Sequence, residues 1–397
     1  MNILFTNSKG LGHGGAEVSI MQYIEELERR GHNVVIASSK DFKEIKTERI
    51  KSVEKWPFFL REFYLKRKFT ELIDKYSIDL ITSQDNITTI SAILAARKCS
   101  IPVLVHIRDN WFACPRSSCL RPDYSECVHC DAKLLMSCSS WYRYPLDLYK
   151  WRNIKRSWEL VDNADAKVCV SSAVKSKLAK CGITHNVNVV PGARVLEEFE
   201  NVEGVEEFKK KYELRKIVIT FIGSFFYTKG VLQIFKFMPD ILKFNPDVSL
   251  MLVGDGPLYG DVVRLVKENG IEKQVVLTGR LAFDKIPLCY AVSDILLAPH
   301  LWSEPLGATI IEASAASKPS VISVRGGPID FKDEYDNIID PEDVSLWKEK
   351  VLYLIENESA RKASGKKARK NVELMSFRSY VNSIEKIHSK MFENMKK

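Results

Sequence analysis

A chain of 397 residues, 45% of them hydrophobic, is longer than one α/β domain needs and holds enough apolar side chain for two packed cores. Its formal charge of +8 is uneven: residues 1–195 hold 30 Lys and Arg against 21 Asp and Glu, and the remainder holds 29 against 30. Such a basic half can attract nucleic acid, acidic lipid or phosphorylated substrate, and no zinc-finger or RNP signature favours the first, so no nucleic acid partner is expected. No apolar run approaches the roughly 20 residues that span a bilayer, the opening MNILFTNSKG lacks the arrangement of a signal peptide, and nine cysteines without an export signal argue against a disulfide framework. A cytoplasmic protein is expected.

The first apolar run predicts a strand over 3–6. A Gly-rich turn follows, then helical spacing at Ile20, Tyr23, Ile24 and Leu27, ended by Gly31, and a short buried strand over 34–37. This is a βαβ unit of doubly wound type. Further strands are predicted at 78–82, 103–107, 168–170 and 187–190, while 111–158 is irregular at first and aromatic throughout. At Pro191 and Gly192 the pattern breaks into a polar segment, and IVITFIG opens a second α/β series with strands at 249–253, 275–278, 295–298 and 320–323. From Val344 onward the chain reads as helix. The predicted organisation is two doubly wound, Rossmann-like domains at 1–195 and 196–375, with a terminal helix at 376–397 crossing back onto the first.

Two glycine-bearing turns carry chemistry. In KGLGHGGAE, Gly10, Gly12 and Gly15 satisfy G-x-G-x-x-G, where backbone amides at a helix N-terminus can hold phosphate. A dinucleotide-binding oxidoreductase would also want a ribose-binding carboxylate at the end of the second strand, and Ala37 and Ser38 stand there instead. In HLWSEPLGATIIEASAASKPSVIS, a helix is predicted to begin near Pro305 or Leu306, with Glu304 just before it, Glu312 within its second turn, and the amides near Leu306, Gly307 and Ala308 at its N-terminus. A sugar diphosphate fits that layout, because amides take phosphate and carboxylates accept from paired hydroxyls. Two solvent-exposed glutamates beside a core helix would show the same spacing.

These residues resemble glycosyltransferase family four. The resemblance extends over nearly the whole chain, through GGAE at 14–17, FIGSFFYTKG at 221–230, LVGDGPLYG at 252–260, LTGRL at 277–281 and VRGGPID at 324–330. It implies a GT-B architecture, two Rossmann-like domains facing a cleft, and a retaining transfer of a hexosyl-type group from a nucleotide-diphosphate sugar to a hydroxyl acceptor. It also implies residue roles: Glu312 on the ribose, Glu304 on the transferred sugar, Lys229 on the diphosphate, backbone around Gly279 and Arg280 on the base, and Gly14 and Gly15 closing over the phosphates. Family members often carry Arg where this chain has Ser224, and a hydroxyl supplies no charge. Lys229 then bears more of the diphosphate, or Arg280 or Arg325 compensates. With no D-x-D triplet in the chain, no catalytic metal is expected. A GT-B epimerase or phosphorylase would share the donor site, and a non-catalytic nucleic-acid module would not require Glu304, Glu312 and Lys229 together.

In the first domain, IPVLVHIRDNW places His106, Arg108 and Asp109 at the end of a strand; His106 and Asp109 are candidates for a role in transfer or acceptor contact. Cys127 and Cys130 form a C-x2-C knuckle, with His129 inside it, that Cys114 and Cys119 could complete as a structural zinc site. In KWPFFLREFYLKRKFTELIDKY, a helix from Pro57 would stack Leu65, Phe69, Leu72 and Tyr76 in one stripe and leave Phe59, Phe63 and Arg67 roughly opposite. Exposed aromatics beside cations suit an acidic membrane surface. The expected partners are thus a nucleotide sugar and a polyprenyl- or lipid-linked glycan acceptor, reached from the inner face of the plasma membrane.

Overall fold

The strands that the apolar runs predict form two wholly parallel sheets. In the first, β1 (Asn2–Thr6), β2 (Asn33–Ser38), β3 (Thr47–Arg49), β4 (Leu80–Ser83), β5 (Val103–Ile107), β6 (Ala166–Cys169) and β7 (Val187–Val189) lie in the order β3-β2-β1-β4-β5-β6-β7. In the second, β8 (Ile217–Ile222), β9 (Val248–Val253), β10 (Val275–Gly279), β11 (Ile295–Ala298), β12 (Ser320–Ser323) and β13 (Ile338–Ile339) lie in the order β10-β9-β8-β11-β12-β13. The computed structural model describes every residue except 9–14, 42–44, 124, 128, 129, 193, 332–336, 396 and 397.

Strands covered by helices on both faces read as continuous apolar runs rather than alternating ones, and β5 and β9 are buried at every position. Each sheet reverses its winding beside its first strand, between β1 and β4 and between β8 and β11. In open α/β sheets ligands settle in the crevice beyond the strand C-termini at such a point.

The chain divides into two compact units, Met1–Gly192 with Arg378–Lys397, and Ala193–Phe377. The helix Phe377–Met395 therefore belongs to the first unit. It buries Tyr380, Val381, Ile384, His388 and Met391, a stripe at helical spacing. Tyr380 packs edge-on against Tyr23 with ring centroids 5.5 Å apart, and Arg30 binds Glu385 at 2.5 Å and Asn382 at 3.0 Å.

His388 is 2% exposed, and neither ring nitrogen has a hydrogen-bond partner among the described residues. Burial, aided by His32, pushes its pKa down to about 4. The native state thus resists a proton that the unfolded chain accepts near pH 6.5, so this contribution to stability is whole above that pH and is lost as pH falls toward 4. Replacing His388 with Leu should stabilise the fold by about 1–3 kcal/mol at pH 7, because an unpaired buried polar group disappears, and should flatten part of the acid loss. Thermal melts between pH 4 and 7 check this; a lower melting temperature at pH 7 would contradict it.

Candidate active site

At the crevice of the second unit, two segments leave the sheet side by side. The first follows β8 through Gly223 to a single 3-10 turn, Tyr227–Lys229. Gly230 ends that turn at φ +74°, and a Cβ there would lie 1.8 Å from the Pro299 carbonyl oxygen, so only glycine lets this loop press against the chain leaving β11. The approach is closed by the Leu301 amide donating to the Thr228 carbonyl at 3.0 Å.

It brings Lys229 Nζ to 2.5 Å from Glu304 Oε2. Trp302 Nε1 donates to the same oxygen at 2.8 Å, His300 Nε2 lies 3.4 Å away, and Lys229 Nζ sits 5.0 Å from the centre of the Trp302 ring. Burial would raise the Glu304 pKa, but the charge of Lys229, that of His300 once it is protonated in acid, and the hydrogen bonds from Lys229 and Trp302 outweigh it and hold the pKa down. His300 is itself pushed down to about 4 by burial and is neutral at pH 7.

The second glutamate lies in the second turn of the helix that follows. Pro305, Leu306 and Gly307, the last at φ +87°, lead into the helix Ala308–Ala315, which has no side-chain cap. The amides of Ala308 and Thr309 have no carbonyl in their own helix to bond, so they remain as donors for an anion. Beneath them, Gly326 and Gly327 lie against the glutamate backbone: a Cβ on Gly326 would come within 2.5 Å of the Glu304 nitrogen, and the Gly327 amide donates to the Glu304 carbonyl at 2.6 Å.

Glu312 is held at both oxygens. Arg194 Nε donates to Oε1 at 2.7 Å and the Tyr290 hydroxyl donates to Oε2 at 2.8 Å. The side chains of Arg194 and Glu312 are 9% and 8% exposed. A carboxylate has about four acceptor positions, so Glu312 keeps capacity for further donors. Arg194, Tyr290, Trp302 and His300 are neighbours of the two glutamates that the sequence reading missed.

The remaining expected donor residues are scattered. Ser224 is exposed just past β8, and its carbonyl accepts from the Phe226 amide at 2.8 Å. Gly279 closes β10, with its carbonyl accepting from the Gly254 amide at 3.0 Å, and Arg280 follows it at the surface. Arg325 donates to the Leu301 carbonyl at 2.8 Å and to Glu342 at 2.9 Å, in the loops that follow β11 and β13. Gly14 lies outside the described residues, and Gly15 begins the helix Gly15–Arg29.

In the first unit the structure corrects the expectation for His106. It is 2% exposed, 6.0 Å from Tyr23 between ring centres, with Nδ1 3.4 Å from the Tyr380 hydroxyl. The terminal helix covers this face of β5, so His106 is a packing residue. Asp109 is half-buried, and its Oδ1 accepts from the Trp111 amide at 2.7 Å.

The cysteine loop turns back on itself, with the Cys127 amide donating to the Cys119 carbonyl at 2.7 Å and Leu120 bridging Glu126. Cys119 also hydrogen-bonds Cys114 and holds its thiol down. None of the nine cysteines is in a disulfide. Among the described residues no three His, Cys, Asp or Glu side chains are placed to hold a metal ion, so the four-thiolate site expected at Cys114, Cys119, Cys127 and Cys130 is not assembled in this arrangement. His129 lies outside the described residues.

The family model "Glycosyltransferase Family 4" matches residues 13–197, and "Glycosyl transferases group 1" matches residues 204–371. An alpha-monoglucosyldiacylglycerol synthase of Streptococcus pneumoniae is 25% identical over 339 residues, 82% of this chain and 71% of that protein. The GPI3 subunit of a Saccharomyces cerevisiae phosphatidylinositol N-acetylglucosaminyltransferase is 27% identical over 188 residues, 45% of this chain and only 41% of the yeast subunit. Among solved structures, Anabaena HepE in complex with UDP and glucose superposes with a TM-score of 0.75 at 17% identity, covering 98% of this chain and 100% of that one. A glycosyltransferase of Rickettsia africae reaches a TM-score of 0.77 at 18% identity, covering 99% of each chain. Together with the two doubly wound sheets, the matches along the chain make it a family-four-like member of the GT-B glycosyltransferases.

Proposed function

We propose that this glycosyltransferase moves a hexosyl-type group from a nucleotide-diphosphate sugar to a hydroxyl on a lipid-linked acceptor, with retention of configuration. The observation that carries the donor reading is the Lys229–Glu304 pair at the winding reversal between β8 and β11. Without a donor, the ammonium is neutralised by the carboxylate. An arriving diphosphate draws Lys229 to itself, which frees Glu304 Oε2 to accept from sugar hydroxyls, while Glu312 accepts from the ribose. The amides of Ala308 and Thr309 and Lys229 then stabilise the charge of the departing diphosphate as preorganised donors, with no catalytic metal assigned. Retention follows from the family resemblance, the departing diphosphate assisting the incoming hydroxyl on the same face.

A thermal-shift screen of nucleotide sugars tests this reading, because a ligand at about 100 times its Kd stabilises by roughly 2.7 kcal/mol. No stabilisation by any nucleotide sugar or nucleoside diphosphate would end it.

The lipid acceptor is supported by the names of the pneumococcal and yeast relatives and by the helix Phe58–Tyr76. That helix buries Leu65, Phe69, Leu72 and Ile73 and leaves Phe59 66% and Phe63 71% exposed. No helix of the structure is long and apolar enough to cross a membrane, so contact would be peripheral. The protein should float with anionic liposomes at low salt, and Phe59→Ser with Phe63→Ser should abolish co-migration; a wild-type protein that stays at the bottom of the gradient sinks the membrane reading.

Structural zinc would need the thiols of Cys114, Cys119, Cys127 and Cys130 to reorient. Less than about a tenth of an equivalent in protein purified without added metal, with melting unchanged by chelator, removes it.

A further inference from the structure

The largest cavity described in the first unit, about 520 Å³, opens beyond the C-terminal ends of β4 and β5, where Asn86 and Trp111 line it, and is closed on the far side by the helices Phe58–Tyr76 and Tyr144–Asp162. A second cavity of about 460 Å³ shares Phe58, Ile90 and Tyr149 with it, so the two form one trough. The walls are mainly apolar and aromatic. At the mouth, Leu146 is 50% and Tyr149 45% exposed, and Phe59 and Phe63 extend the apolar surface outward on the same helix that supplies Phe58.

One wall residue does not fit an empty apolar trough. Arg61 lines the larger cavity with its guanidinium carbon 5.1 Å from the Phe58 ring centre, and its Nε is buried with no hydrogen-bond partner among the described residues. Glu54 lines the same cavity and Glu62 the adjoining one, yet no ion pair joins either to Arg61 among the described residues. Glu62, Asp85 and Glu54 attract the guanidinium at longer range, but burial outweighs them and pulls its pKa down, and a buried guanidinium nitrogen without an acceptor is costly. Its position adds to the cost: Arg61 stands in the first turn of its helix, where the macrodipole favours anions, and that turn carries no acidic residue, its Phe58 amide donating to the Tyr149 hydroxyl at 3.0 Å. Lys55 and Lys150 add two further cations to the lining of the cavity. Aromatic walls, a buried guanidinium nitrogen without an acceptor and two further cations in the lining converge on one missing group, an anion attached to an apolar body.

We infer that this trough binds a phosphate-bearing amphiphile, with the phosphate at Arg61 and the start of the hydrocarbon chain against Phe58, Ile90, Tyr149 and Leu146. The inference deepens the proposed function and rests on its lipid-linked acceptor: the chain passes outward along Phe59 and Phe63 toward the bilayer, and the phosphate marks the end nearest the sugar-accepting hydroxyl. Lys55 and Lys150 add attraction for the anion at the mouth.

Trp56 and Trp111 line the cavity, so intrinsic fluorescence can report its filling. Octyl phosphate below its micelle concentration should bind about tenfold or more tighter than octanol, the increment of one charge-assisted hydrogen bond, and about tenfold or more tighter than inorganic phosphate, which buries no hydrocarbon. Arg61→Gln should erase the preference for octyl phosphate over octanol, Arg61→Lys should keep most of it, and Leu146→Asp should weaken both amphiphiles. The proposal is overturned if octanol binds as well as octyl phosphate, if inorganic phosphate alone binds as well, or if Arg61→Gln leaves the preference intact. Thermal stabilisation by nucleoside diphosphates, measured on the same Arg61→Gln protein, should match wild type and shows that the variant is folded. Nucleotide binding without octyl phosphate binding defeats this inference alone, whereas octyl phosphate binding without nucleotide binding defeats the donor reading alone.

Discussion

Replacing Lys229 with Ala is expected to cut turnover by about 100-fold or more, the scale on which enzymes lose rate when one preorganised donor to a developing charge is removed. Lys229 has two partners, Glu304 at 2.5 Å and the Trp302 ring, and both hold the ammonium at the mouth of the β8–β11 crevice rather than in bulk water. Its charge matters most as the diphosphate departs, so turnover should fall further than donor affinity. Glu304→Ala separates the roles. It removes the carboxylate that competes with phosphate for Lys229, so free nucleoside diphosphate should bind no more weakly than to wild type, while the intact sugar nucleotide loses affinity and turnover falls. If both alanine variants kept near-normal turnover, the Lys229–Glu304 pair would be a surface ion pair and the donor site would lie elsewhere.

The parts of this fold that were legible in the sequence are those where one periodicity decides the outcome. Strand β5 was readable because a strand covered on both faces is an unbroken apolar run, and the stripe Leu65, Phe69, Leu72 of the helix Phe58–Tyr76 was readable because 3.6-residue spacing is local; Tyr76 of the same stripe is only half-buried, and Ile73 joined it unannounced. Strands β3 and β13, three and two residues long, were not readable, since edge pairing to β2 and β12 defines them and no apolar run does. In the candidate site, the two glutamates were singled out by their spacing and Lys229 through the family resemblance. Their partners fall into two kinds. His300 and Trp302 were within reach, because both stand within four residues of Glu304 in the loop that follows β11. Arg194 and Tyr290 were not, because 118 and 22 residues separate them from Glu312 and only the fold chooses them. His106 failed for a related reason: alternation along β5 says which side chains share a face, but the cover on that face comes from residues 377–395 at the far end of the chain.

Arg194→Ala is expected to destabilise the second unit by about 3–5 kcal/mol, the usual effect of stranding one member of a buried ion pair. Both side chains are nearly inaccessible, and without Arg194 the Glu312 carboxylate keeps the Tyr290 hydroxyl as its one remaining side-chain donor of this trio. Glu312→Gln should also destabilise, by leaving a buried guanidinium without its counter-charge. Combining Arg194→Met with Glu312→Gln removes both charges at similar volume, and exchanges of that kind are often neutral or better, so melting should return to within about 1 kcal/mol of wild type. Affinity for the nucleotide should not return with it, because an amide accepts from ribose hydroxyls less strongly than a carboxylate, and the loss should remain about tenfold or more. Tyr290→Phe, which deletes one neutral donor, should cost only about 1 kcal/mol and weaken nucleotide binding less. Denaturation curves and nucleotide titrations on the double variant therefore decide between two roles for Glu312. If nucleotide affinity recovers together with stability, the Arg194–Glu312 pair only holds the helix Ala308–Ala315 in place; if stability alone recovers, Glu312 touches the ribose and Arg194 is the positioning residue that holds it there.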